Sequence, residues 1–361
     1  MSWIRIAIIN LLVLFLLLLL AEIALRLAWT VKSCISPRCD FSRITTLTIR
    51  GVDKKVSENS IRNIRFDADL GYVYREGTDL LVDDGSGWKS IEVTITKEGF
   101  RLNNAAIQPN KSDVLVVGDS FAFGTQVSNH ETWPACLERK LARGVDNGGI
   151  GGYGAAQALK RAEMKLVNKE YSTLVWSILL GHDFARDRLS YREGFPKPAV
   201  IRKDGGSIGF SAVSDPKKPG TIFSPLKQDG LFPFLYKRFI LLAFTMDMVR
   251  PEIAISEYRL SEAHPDAADK EAIIIWALER FSQLKINRKI ILLQYSANYS
   301  TSFETQEERE LIKTIARRLS LQVVDTSDVL TKYEATKLWM GHHTPFANKV
   351  VCEYLFERAF R

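Results

Sequence analysis

Four short apolar runs decide what this chain can fold into. They are Val114–Val117, Leu174–Leu180 with Ser177 inside it, Ile290–Leu293 and Leu321–Val324 with Gln322 inside it, and stretches of helical period lie between them. Runs of four to seven apolar residues with no polar alternation suit strands buried on both faces. Strands that alternate with helices imply a parallel sheet covered by helices on either side. The expected helices cover 132–143, 155–167, 266–285, 304–319 and 346–359. Val145–Asn147 reads as a further short strand.

Upstream, Leu70–Tyr74 and Ile91–Thr96 alternate and are rich in β-branched or aromatic residues, with the turn-rich Asp83–Gly87 between them. They predict a small β-element packed on the main domain. Residues 187–260 break the α/β alternation with Pro and Gly clusters and the apolar stretch Phe239–Met248, and read as an insertion. The domain reading is therefore 1–29, 30–111 and 112–361. The composition is that of a globular protein, 46% hydrophobic and 25% charged over 361 residues. A net charge of +7 with no block of like charge argues against nucleic acid as a partner.

The first 29 residues differ in kind. Ile6–Leu20 is apolar apart from Asn10, and the run continues through Ile23–Leu25 to Trp29. About 20 such residues cross about 30 Å of hydrocarbon as a helix. Trp3 and Trp29 stand where interfacial anchors belong. A cleaved signal peptide would need a small-x-small site after Leu20, and Glu22, Leu25 and Arg26 spoil it. The reading is an uncleaved single-pass anchor in the lipid bilayer. Arg26, Lys32, Arg38 and Arg43 follow the segment, so charge counting alone does not favour export of the body, whereas the layout of a short N-terminal tail followed by the body does. Cys34 and Cys39 flank a proline, either as a small disulfide loop or as two free thiols. Cys136 and Cys352 fall in helical patterns and are expected as buried thiols.

The segments that bear chemistry sit just beyond the apolar runs and before the last helix. Val114–Val117 ends in Gly118-Asp119-Ser120, a tight turn that lifts a serine to the carboxyl edge of the sheet and the start of a helix. A glycine- and alanine-rich stretch, Asn147–Gln157, leaves backbone N–H groups free for an oxyanion. Gly181-His182-Asp183 comes directly after the second run. Gly341-His342-His343-Thr344-Pro345 precedes the last helix, with Pro345 suited to its first turn. His343 is expected to pack beside the site or face solvent, and is the lesser candidate for a base. Asp119 and Asp183 read as structural. The five histidines and four cysteines show no metal-ligand spacing, and neither metal nor cofactor is expected.

In order and spacing these blocks resemble those of the SGNH (GDSL-type) hydrolase superfamily over about 112–185 and 321–358. Gly71-Tyr72 and Gly99-Phe100-Arg101 resemble the lead-in of its membrane-anchored bacterial members. The resemblance implies a three-layer α/β/α flavodoxin-like domain. It also implies Ser120 as nucleophile, His342 as general base, and the N–H groups of Ser120 and Gly152 as oxyanion donors. His182 stands where the family has an oxyanion-binding Asn, and a neutral imidazole can donate one such bond. Two or three residues before His342, where the family has its aspartate, stand Met340 and Trp339. The expectation is thus a Ser-His dyad acting on acyl esters, by hydrolysis or transfer, with an extracytoplasmic glycan or glycolipid as substrate class. The body would be periplasmic on a bacterial inner membrane. The alternative is a catalytically degenerate member that binds a glycan or a membrane-protein partner.

Overall fold

The computed structural model describes residues 10, 13, 16–24, 64–75, 79–82, 91–103, 112–192, 195–213, 261–296 and 302–361. They fall into two units, one of 58–218 with 261–361, the other of 1–57 with 219–260. In the second unit residues 16–24 are helical. Leu16–Leu20 and Ile23 are exposed there. Among the described residues no helix is long and apolar enough to cross a membrane. The rest of the expected anchor, Cys34, Cys39, the juxtamembrane linker and Phe239–Met248 lie outside the described residues.

The first unit opens with two antiparallel pairs, β1 (Ile64–Asp67) with β2 (Gly71–Tyr74) and β3 (Asp79–Val82) with β4 (Ile91–Thr94). Next come β5 (Ser112–Val117), α1 (Ser120–Phe123), α2 (Trp133–Leu141), β6 (Gly144–Asn147), α3 (Ala155–Asn168), β7 (Thr173–Leu179) and α4 (Asp183–Arg186). The described part of the insertion forms β8 (Leu189–Arg192), β9 (Phe195–Pro196), β10 (Val200–Arg202) and β11 (Ile208–Phe210), with β12 (Ser261–Ala263) closing onto β8. The chain ends with α5 (Lys270–Ser282), β13 (Arg288–Gln294), α6 (Phe303–Arg318), β14 (Gln322–Asp325), α7 (Ser327–Leu330), α8 (Ala335–Leu338) and α9 (Pro345–Ala359).

The central sheet runs β14-β13-β7-β5-β6, and every pair is parallel. Numbered along the chain its five strands stand in the order 2-1-3-4-5, the flavodoxin-like arrangement. Both faces are apolar. Leu115, Val117, Trp176, Ile178, Ile291 and Leu293 pack against α3, α5 and α6. Val114, Val116, Val175, Ile290, Leu292 and Val324 pack against α2 and α9. Each such side chain taken fully out of water contributes about 1.5–3 kcal/mol, which is why these strands read as unbroken apolar runs. Side-chain oxygens cap the long helices: Thr132, Asp269, Ser302 and Thr344 each accept from an amide of the first turn, and Pro345 starts α9.

One expectation fails. Cys136 and Cys352 are not free thiols but a disulfide joining α2 to α9. These helices lie on one face of the sheet and bring two distant cysteines together. Helical period indicates the burial of Cys352 and cannot indicate the pairing.

Candidate active site

The order of the strands reverses between β5 and β7, and in open α/β sheets ligands bind outside the carboxyl ends of the strands at that point. Ser120 comes after β5, and His182 after β7. Asp119 makes the turn into α1: its side chain accepts the Phe121 N–H at 2.8 Å. Ser120 is the first residue of that helix, so its amide is among those with no intrahelical acceptor. Added bulk at Gly118 would meet the Ser177 carbonyl at 2.7 Å, so only glycine lets this turn pass so close to β7.

The loop before α9 delivers His342 to the serine. Nε2 lies 2.9 Å from Ser120 Oγ, across 222 residues of sequence. Burial lowers the His342 pKa below its usual value, Arg186 lowers it further, and Asp119 acts in the opposite sense. The imidazole is therefore neutral at neutral pH and able to accept the serine proton. Ser120 Oγ also stands 3.4 Å from Asp119 Oδ2, but the histidine is the nearer acceptor.

Among the described residues no carboxylate bonds Nδ1 of His342. Gln126 does. Its Oε1 accepts the His342 backbone N–H at 2.9 Å and lies 3.3 Å from Nδ1 of the same residue. Nothing in the sequence pattern points to Gln126, a polar residue in the turn after the helix that begins with Ser120. Met340, at the place of the expected aspartate, uses its backbone N–H to bond the His342 carbonyl at 2.9 Å.

The glycine loop is stitched to the edge of β5. Gly148 N–H donates to Val116 O at 2.8 Å and Ile150 N–H to Gly118 O at 3.1 Å. Gly149 lies so close to α1 that a Cβ there would stand 2.3 Å from Phe123 N. The β1–β2 hairpin clamps the next residue but one: Gly151 O accepts from the Tyr72 hydroxyl at 3.1 Å, and Gly151 N–H donates to the Tyr74 hydroxyl at 3.2 Å. Gly152 then turns with φ of +78°, a conformation that favours glycine. The hairpin is thus part of the site's support, a role its strand alternation does not reveal.

Behind these residues lies a buried charge cluster. Arg186 Nη1 lies 2.9 Å from Asp119 Oδ2 and 2.8 Å from Asp183 Oδ1. Asp183 also accepts the Leu179 N–H at 2.8 Å. Burial and the neighbouring Asp119 push the Asp183 carboxyl well up. Burial works against the Arg186 charge, and Asp183 and Asp119 outweigh it. Each aspartate thus bonds a nearby backbone N–H and Arg186. His182 opens α4. Burial lowers its pKa, as do Arg186 and Arg192, while Asp119 raises it. It too is a neutral imidazole. His343 is buried, donates Nε2–H to Tyr295 O at 2.8 Å, and meets Phe121 edge-on. It packs beside the site and does not bond the serine.

No protein family matches the chain, and no curated protein matches it. Solved structures do. A protein described as lipolytic, of the G-D-S-L family, from Desulfitobacterium hafniense is 13% identical with a TM-score of 0.38, over 68% of this chain and 99% of its own. An acetylxylan esterase from Geobacillus stearothermophilus is 14% identical with a TM-score of 0.35, over 69% and 94%. The esterase EstA from a Pseudoalteromonas species is 10% identical with a TM-score of 0.35, over 69% and 96%. The chemistry of the site is read from its own geometry.

Proposed function

We propose that this chain is an SGNH-type serine esterase or O-acyltransferase. The observation that carries the reading is the 2.9 Å contact between Ser120 Oγ and His342 Nε2, at the switch point of a parallel sheet. A nucleophile and a base within hydrogen-bond reach are the core of acyl transfer. Ser120 Oγ attacks the acyl carbonyl carbon and gives its proton to His342 Nε2. The carbonyl oxygen becomes an oxyanion, held by the N–H groups of Ser120 and Gly152 and by His182. As the bond to the leaving oxygen breaks, His342 returns the proton to that oxygen. Water or an acceptor hydroxyl then attacks the acyl-serine by the same route in reverse, giving hydrolysis or transfer.

The substrate class is an O-acyl ester of an extracytoplasmic glycan or glycolipid. The chain is a single-pass protein of a bacterial inner membrane, anchored by 6–29, with its main body in the periplasm. The Cys136–Cys352 disulfide supports that side, since structural disulfides belong to oxidising compartments. Alkaline phosphatase fused after Arg361 tests it: the fusion is active if the body is exported and inactive if it is not.

A fluorophosphonate probe, applied to wild type and to Ser120→Ala, tests the chemistry. Labelling and release of acetate from acetyl esters are expected in the wild type and lost in the variant. Absence of both in the wild type would leave a non-catalytic member that binds a glycan or a membrane-protein partner.

A further inference from the structure

We infer that Gln126 is the positioning residue of His342, standing where a carboxylate would complete a triad, and that buried Arg101 holds the turn that presents it. This rests on the esterase reading for its catalytic meaning, but its geometry is independent of it. The backbone N–H of His342 can only donate, so the atom of Gln126 that faces it at 2.9 Å is the amide oxygen. That same oxygen is the neighbour of Nδ1 at 3.3 Å, so Nδ1 carries the hydrogen. Nε2 is then a bare acceptor, aimed at the serine hydroxyl. The amide thus selects the tautomer that a general base needs, as an aspartate does in a triad. Unlike an aspartate, it adds no negative charge against the imidazolium.

The turn is built for this purpose. Gln126 has φ of +73°, where a residue with a long side chain is uncommon. Strain of this kind persists where the surroundings over-determine it. Here the surroundings are Arg101. Its Nη1 donates to Phe123 O at 2.8 Å and Gly124 O at 2.6 Å, its Nη2 to Val127 O, and its Nε to Asn129 Oδ1 at 3.3 Å. A single fully buried guanidinium thus fixes the carbonyls on both sides of Gln126. Opposite, Gly341 leaves room for the amide: a Cβ there would stand 2.9 Å from Gln126 Oε1.

The charged and titratable groups around His342 are Asp119 and Arg186 from the elements behind the serine, and His343 on its own loop. Phe121 and Trp339 supply its apolar walls. None of these reaches Nδ1 in a hydrogen bond, so a charge placed at 126 acts on His342 directly.

The test uses the full-length, ¹⁵N-labelled protein in detergent. Long-range ¹H–¹⁵N spectra are expected to show the His342 proton on Nδ1 in the wild type, and a mixture of tautomers in Gln126→Ala. Gln126→Gly relieves the backbone and is expected to keep the wild-type melting temperature while kcat falls roughly 100-fold at unchanged KM, the low end of what a positioned base contributes. Gln126→Glu is expected to keep the Nδ1–H tautomer and move the acid limb of kcat/KM up by about one pH unit or more. A wild-type proton on Nε2, a Gln126→Ala tautomer unchanged from wild type, or an unchanged kcat and pH profile in an active enzyme overturns the inference. If the wild type shows no serine-dependent turnover, the esterase reading fails on its own, and the spectra still decide where Gln126 holds His342.

Discussion

Cys136 and Cys352 are 216 residues apart in sequence, and their Cα atoms lie 6.1 Å apart across the α2–α9 contact. The same contact carries Trp133, whose backbone N–H donates to Asn348 Oδ1 at 3.1 Å and whose indole donates to Phe121 O at 3.0 Å. The bridge therefore ties the helix after His342 to α2, whose Trp133 in turn bonds the helix that begins with Ser120. Removing a native disulfide costs about 2–5 kcal/mol. Urea unfolding of Cys136→Ala/Cys352→Ala should show a loss in that range. Dithiothreitol should lower wild-type stability to the same level and leave the double variant unchanged. A wild type indifferent to the reductant would contradict the bridge.

On the proposed mechanism, His342 sets the pH dependence of catalysis. Its pKa lies below the ordinary 6.5, chiefly because it is buried. The base works only when neutral, and a lowered pKa keeps it neutral to lower pH. The acid limb of kcat/KM should therefore have its midpoint below pH 6.5. A midpoint above that value would mean that a negative group, not burial, governs the imidazole.

His343 should shape stability instead. It is 3% exposed. Burial sets its pKa at about 4, with the Tyr295 carbonyl acting upward and His342 downward. As pH falls below about 6.5 the unfolded chain takes the proton first, so stability drops between about 6.5 and 4. The span amounts to about 3 kcal/mol at 1.36 kcal/mol per unit. Asp187, raised to about 6 by burial, acts in the opposite sense over part of that window. The comparison is thus between His343→Gln and wild type: the variant's stability should fall less from pH 6.5 to 4. Parallel curves would refute it.

Local pattern is the part of this fold that a sequence displays. The central strands lie where the apolar runs put them, because strands buried on both faces carry their signature within a few residues. Ser120 and His342 are legible for the same reason, one after a strand and turn, the other before a capped helix. Gln126 is not, because its role exists only where the turn after α1 meets the loop before α9. Arg101 looks like part of a lead-in segment, and its carbonyl partners appear only once α1 and its turn are folded. The tyrosine clamp on Gly151 depends in the same way on a hairpin some 80 residues upstream. Pairings across the fold leave no periodicity behind.

Restoring the aspartate expected by resemblance should achieve little. In Met340→Asp the new carboxylate would have to displace Gln126, whose oxygen also serves the His342 backbone N–H. The Met340 N–H is already engaged with the His342 carbonyl at 2.9 Å. Steady-state assays should find kcat within roughly threefold of wild type, under about 1 kcal/mol in barrier. A rise of several orders of magnitude would show that the amide holds His342 poorly.

The glycine loop supplies the sharpest steric test. A Cβ on Gly149 would stand 2.3 Å from Phe123 N and 2.7 Å from Ala122 C. Both are backbone atoms of the helix that begins with Ser120, so neither can swing aside as a side-chain tip would. Gly149→Ala must push the loop from α1, and Gly152 moves with it. Overpacking of this kind costs about 1–3 kcal/mol, and loss of one oxyanion donor costs about 100- to 1000-fold in kcat. Thermal melts and the rate of fluorophosphonate labelling should both fall, the second by far more than the lower stability accounts for. A variant that labels at the wild-type rate would show that the loop does not form part of the oxyanion site.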